Sequence, residues 1–88
     1  MTRELFEELM THDETEWEGD NALQGLLIIA KYFDIKKYVI LEAAEHDEIY
    51  SVDVDKLIEA GITEEDTIAL RKLNWMIEKG YDCLSCFV

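Results

Sequence analysis

Residues 49–66, Ile49-Tyr50-Ser51-Val52-Asp53-Val54-Asp55-Lys56-Leu57-Ile58-Glu59-Ala60-Gly61-Ile62-Thr63-Glu64-Glu65-Asp66, hold a strand, a helix, a helix stop and a second helix start in succession. Residues 49–54 alternate apolar and polar, the period of a half-buried strand, with Ile49 and its alternates on one side. Asp53 or Asp55 can cap a short helix over residues 55–60. Gly61, just past its end, supplies the left-handed residue on which helices commonly close. Thr63 is the next N-cap. Asp66, three residues on, completes a variant capping box, and Glu64, Glu65 and Asp66 fill the first turn, where the helix dipole favours negative charge. That helix runs to about Asn74, with Arg71 and Lys72 in its last turn.

Working outward, Tyr38-Val39-Ile40-Leu41 is a β-prone run and Ala44 to Asp47 a polar break. Together with residues 49–54 they predict a β-hairpin. The competing reading continues the preceding helix through Ala44, because Leu41, Glu42, Ala43 and Ala44 favour it. Downstream, Trp75 to Glu78, a Lys79-Gly80 turn and Cys83 to Val88 predict a second hairpin. Upstream, residues 3–10 form a short helix with Leu5, Phe6, Leu9 and Met10 on one face, followed by a polar loop over 11–20. Asp20 or Asn21 then caps a helix reaching about Phe33. Ile28, Ile29 and Tyr32 widen its apolar stripe nearly all the way round, so it is expected to be central and buried. Gly25 costs that helix about 1 kcal/mol relative to Ala, which predicts close packing against a neighbour. The order αα-ββ-αα-ββ gives a single α+β domain over 1–88, a small antiparallel sheet of two hairpins with helices on one face.

Charge is the unusual property. Twenty-one carboxylates against eight basic residues give a formal net charge of −13. Residues 1–20 carry −7, residues 21–44 carry +1, residues 45–66 carry −8 and residues 67–88 carry +1. A field of this sign repels nucleic acid and anionic membranes, whose binding needs Lys and Arg, and attracts basic surfaces. A hydrophobic content of 49 % is too high for a disordered acidic chain. No leader-like apolar stretch follows Met1, and the run from Leu26 to Ala30 is too short to span a bilayer, so a cytoplasmic location is expected.

Residues that could carry chemistry give weak signals. Cys83-Leu84-Ser85-Cys86 matches C-x-x-C, but on a strand positions i and i+3 face opposite ways, and a zinc site would need two more ligands. His46-Asp47-Glu48 sits at the expected hairpin tip and His12-Asp13-Glu14 in a loop. Neither position implies a water-excluding cleft in which to shift a pKa. Gly19, Gly25, Gly61 and Gly80 are scattered and make no phosphate loop. No catalytic residue, metal or cofactor is expected.

The acids themselves can act as a surface. Carboxylates three or four apart on a helix lie about 5–6 Å apart at Cβ, and alternate strand residues about 6–7 Å apart. Both spacings approach that of neighbouring phosphates on a nucleic-acid backbone, although charge runs often do no more than solvate a small domain. The expected partner-binding set is Glu45, Asp47, Glu48, Asp53, Asp55, Glu64, Glu65 and Asp66, followed by Asp13, Glu14, Glu16 and Glu18. Reversal of Glu64, Glu65 and Asp66 to Lys is expected to abolish binding and spare the fold. Tyr32, Tyr38, Tyr50, Trp75 and Tyr81 could anchor an interface or pack in the core. Trp17, among acids on a loop, is the leading exposed anchor, although it could also pin that loop to the core.

The stretch from His46 to Val88, through HDEIYSVDV, the GITEED helix start and the aromatic-bearing final hairpin, resembles small acidic proteins of phages and other mobile elements. It covers about half of the chain and carries over no functional residue. Some proteins of that kind are anti-CRISPR or anti-restriction inhibitors that occupy nucleic-acid-binding surfaces. The resemblance implies a non-enzymatic inhibitor in the host cytoplasm, acting on a basic nucleic-acid-binding protein without touching nucleic acid. The alternative is a structural or regulatory module that binds through an apolar patch or a sheet edge, as a homodimer joined at the terminal strand ending at Val88.

Overall fold

The computed structural model describes residues 1–88. The observed elements are α1 Arg3–Met10, α2 Asn21–Ala30, β1 Ala43–Glu45, β2 Glu48–Asp53, α3 Val54–Glu59, α4 Glu64–Lys72, β3 Met76–Glu78 and β4 Cys83–Phe87. Each helix starts on a side-chain cap that satisfies an otherwise unpaired N–H. Thr2 accepts from Leu5, Asp20 from Leu23, Asp53 from Asp55 and Lys56, and Thr63 from Asp66. At the end of α3 the N–H of Gly61 reaches Ile58 O and that of Ile62 reaches Leu57 O, with Gly61 at φ +94°. This is the paired closure that a left-handed glycine permits.

The sheet is antiparallel throughout, in the order β1-β2-β4-β3. β4 is therefore interior, paired on both sides, and the expected edge at the terminal strand does not exist. Its two neighbours complete its hydrogen bonding, leaving the edges to β1 and β3. Each is three residues long and ends in a glutamate, a combination that discourages further strand addition.

The first hairpin departs from the expected register. Residues 38–41 are neither strand nor helix: Lys37 and Tyr38 donate back to Asp34 O in a turn, and β1 begins only at Ala43. The turn is the two-residue His46-Asp47 pair, with Glu45 opposite Glu48 and His46 at φ +25°. Past Tyr50, β2 bulges against β4, and the Ser51 hydroxyl donates to Ile40 O. A side chain thus takes the place of ladder bonding there, and the chain leaves the sheet despite its β-prone composition. The bulge has a second effect. It shifts the alternation by one residue, so that both Ile49 and Val52 face the core.

That core is built around Trp75, which is fully buried with Phe6, Ile29, Leu57, Leu70 and Leu84. The Trp75 indole N–H donates to Asn21 O at 3.1 Å. Gly25 lies against the same ring, where a Cβ would come within 1.9 Å of Nε1. The expected close contact of Gly25 is thereby identified. The expected central position of α2 is not observed. The helix ends at Ala30 and buries Ala22, Gly25 and Ile29, while Leu23 and Leu27 are 52 % and 61 % exposed. Once Gly25 is seated on Trp75, only one side of the helix can face the core.

The capping box at α4 also takes a different form. Thr63 N–H donates to Tyr32 Oη at 3.2 Å, and that hydroxyl in turn donates to Asp66. A tyrosine from beyond α2 is thus inserted between the two halves of the box. Asp66 is further held by Lys31 at 2.7 Å. These contacts hold the Asp66 carboxyl below the usual carboxylate range and raise the Lys31 ammonium. No helix is long and apolar enough to cross a membrane.

Candidate protein-binding face

The helices cover one side of the sheet, and strand pairing determines what the other side displays. Three cross-strand rows can be followed. Glu45, Glu48 and Phe87 form one; Ala43, Tyr50, Ser85 and Met76 form the middle one; Asp53, Cys83 and Glu78 form the third. Successive rows are about 7 Å apart, two residues along a strand. The face therefore has carboxylates in both outer rows and a band of aromatic and small side chains between them.

The middle band is closely packed. Tyr50 and Tyr81 meet edge to face with ring centroids 5.6 Å apart. Cys83 and Ser85 are buried beneath this layer, and no protein group hydrogen-bonds the Ser85 hydroxyl. Tyr50 Oη donates to Glu48 at 2.9 Å. That bond, with partial burial and the charges of Glu48, Glu45 and Glu78, pushes the Tyr50 phenol up to about 12. Burial first, then Glu42, Glu78, Asp53 and Glu48, raises the Cys83 thiol. Two different side chains thus register the same concentration of negative potential. Beside the Tyr50–Tyr81 pair a cleft of about 500 Å³ opens, bordered by Glu42, Glu45 and Asp53, with Lys56 its only cation.

The structure distributes the expected acids among several settings. Glu45, Glu48 and Asp53 come together on the sheet face. Asp53 also caps α3, and Asp47 sits at the hairpin tip, where its carbonyl accepts from Val88 N–H. Asp55 lies 2.9 Å from Arg3 Nη1. Glu64 and Glu65 are exposed on the first turn of α4, whereas Asp66 is committed to Lys31 and Tyr32. Reversal of Asp66 would therefore break a structural contact as well as change the surface, so the triple reversal cannot be neutral for folding. Asp13, Glu14, Glu16, Trp17 and Glu18 lie on the exposed loop near the opposite end of α4. That loop is held by Arg71 to His12 O, Glu16 N–H to Lys72 O and Gln24 to Glu18 O. Trp17, 42 % exposed, lies outside the core cluster and does not pin it there.

Glu42 and Glu78 join the face although segment charges gave no reason to select them, since each belongs to a stretch of net +1. The signal that finds them is strand pairing: Glu42 N–H bonds Tyr50 O, and Glu78 lies opposite Cys83. The two cysteines are free and face opposite ways, Cys83 toward the open side and Cys86 into the core, where Asn21 Nδ2 approaches its sulfur at 3.4 Å. The largest cleft, about 560 Å³, lies elsewhere and has mixed charge. Its Arg3 is already bound by Glu7, Asp55 and Asp82.

Fold and surface together define a small α+β domain with an open, acidic, aromatic-centred sheet face. Comparison with protein-family models, curated proteins and solved structures finds no match to this chain.

Proposed function

We propose that the chain is a non-catalytic binding protein whose open sheet face engages a basic surface of a nucleic-acid-binding partner. It would thereby block that surface, in the manner of the small acidic inhibitors of phages and other mobile elements. The observation that carries this reading is the pair of carboxylate rows bracketing Tyr50 and Tyr81. The two rows lie two intervals, about 14 Å, apart, so each can meet lysine and arginine side chains on one side of a surface built to hold a phosphate backbone. The tyrosine pair offers ring faces and edges to the same guanidinium groups, an attraction that strengthens when water is excluded. Negative potential over the face speeds encounter with a cationic partner and disfavours acidic ones.

The test is capture of partners from a host lysate on immobilised protein, at low and at high salt, followed by competition with duplex DNA or RNA. Bound material should be basic, elute as salt rises and be displaced by nucleic acid. The E45K/E48K/E78K variant, checked for an unchanged circular dichroism spectrum, should capture none of it. Capture that is indifferent to salt and to this triple reversal overturns the reading.

A further inference from the structure

Residues 21–44 have a surface unlike the rest. Of the twelve large apolar side chains exposed on the molecule, six are here: Leu23 and Leu27 on α2, and Ile35, Tyr38, Val39 and Leu41 in the segment after it. Their exposures run from 48 % to 70 %, well beyond the rim contacts that any small domain shows. The acidic face has no use for them.

We propose that this surface joins two copies of the chain in an isologous dimer. Charge identifies the occupant. In a two-fold contact each patch meets its own duplicate, so a patch with net charge repels itself. Residues 21–44 carry Lys31, Asp34, Lys36, Lys37 and Glu42. Lys31 is engaged by Asp66, and none of the other four lies within 4 Å of an opposite charge. Those four sum to zero, two of each sign, so each can find an opposite charge on the second copy. Contacts made through residues 1–20 or 45–66 would bring together surfaces carrying −7 or −8 per chain. A standard interface takes about 800 Å² from each partner, about one seventh of the 5680 Å² surface of this chain. The dimer leaves Glu45, Glu48, Glu78 and the Tyr50–Tyr81 pair outside the contact, and the two surfaces meet at Glu42, which borders both.

Sedimentation equilibrium of the purified full chain over a concentration series tests this. A species of twice the 10.3 kDa chain mass is expected, and added salt should tighten it by screening the overall repulsion. L27D and V39D alter exposed positions and should each weaken the dimer at least about thirtyfold, the change expected of a hot-spot residue. K36E/K37E makes the patch repel its duplicate, and it should dissociate the dimer at low salt and be partly rescued at high salt. E64K/E65K should leave the dimer intact. A monomer at every concentration in high salt overturns the proposal, as does a dimer that survives L27D and V39D with near-ultraviolet dichroism unchanged. Basic-partner capture by the L27D chain separates this outcome from that of the proposed function, because neither depends on the other.

Discussion

On the open sheet face, strand pairing fixes carboxylates at regular intervals around a few aromatic rings. Along residues 21–44 six large apolar side chains are exposed and the four charges without a partner in the chain cancel. The first surface is held by backbone register and survives changes in individual side chains. The second depends on how one helix is seated, since α2 meets the body through Gly25 and Trp75 and is tied at its far end by Lys31 and Tyr32 to Asp66. A sheet can display charge whose repulsion the ladder absorbs. A helix seated along one side, through Ala22, Gly25 and Ile29, depends instead on the fit of its side chains.

The strongest way to break the contrast is Gly25→Ala. Its Cβ would fall inside the Trp75 ring, where backbone and indole both have to move. A loss of about 3 kcal/mol is expected in urea denaturation, the upper range for overpacking, with Trp75 fluorescence reporting the displaced helix. Asp66→Asn should have a smaller effect that depends on pH. Asp66 titrates below its ordinary value of 3.8 when folded, so its contribution is complete above that value and lost as pH falls through the folded pKa. Lys31, raised above 10.5, contributes fully below its ordinary value and loses that contribution as pH rises through its folded pKa. Denaturation midpoints across pH should therefore lose part of their acid-limb slope in Asp66→Asn, the remainder staying with Asp82, which Arg3 also holds low.

On the acidic side, Ser85→Ala removes a buried hydroxyl that no protein group hydrogen-bonds and should raise stability by about 1 kcal/mol in the same denaturation assay. The smallest effect sharpens the description of the face. Glu48→Gln should bring the Tyr50 phenol down from about 12 toward its ordinary 10.0, read by ultraviolet titration with Tyr50→Phe identifying the signal.

The sequence was most informative where short-range signals agree. Asp53, Gly61 and Thr63 mark helix ends through contacts within a few residues, and α3, α4 and the second hairpin lie close to where those marks put them. The first hairpin is present, but its first strand was misplaced for a nonlocal reason. Tyr38-Val39-Ile40-Leu41 has strand composition, but the bulge in β2 and the Ser51 hydroxyl take its place, and neither leaves a trace in residues 38–41. The acids divided in the same way. Glu45 and Glu48 were legible as members of one acidic block, whereas Glu78 reaches the face only through β4, from the other half of the chain. Tyr32 inside the cap of α4 was invisible for the same reason, since thirty-one residues separate it from Thr63.

The interior position of β4 also sets an order of assembly. β2 and β3 are not neighbours and join only through residues 83–87. Helices this short and a lone hairpin are marginal in isolation, and the sheet that they pack on cannot close until that segment has left the ribosome. Until then the apolar side of β2 has no strand beside it on the β4 side, and holding chaperones would find their longest opportunity there.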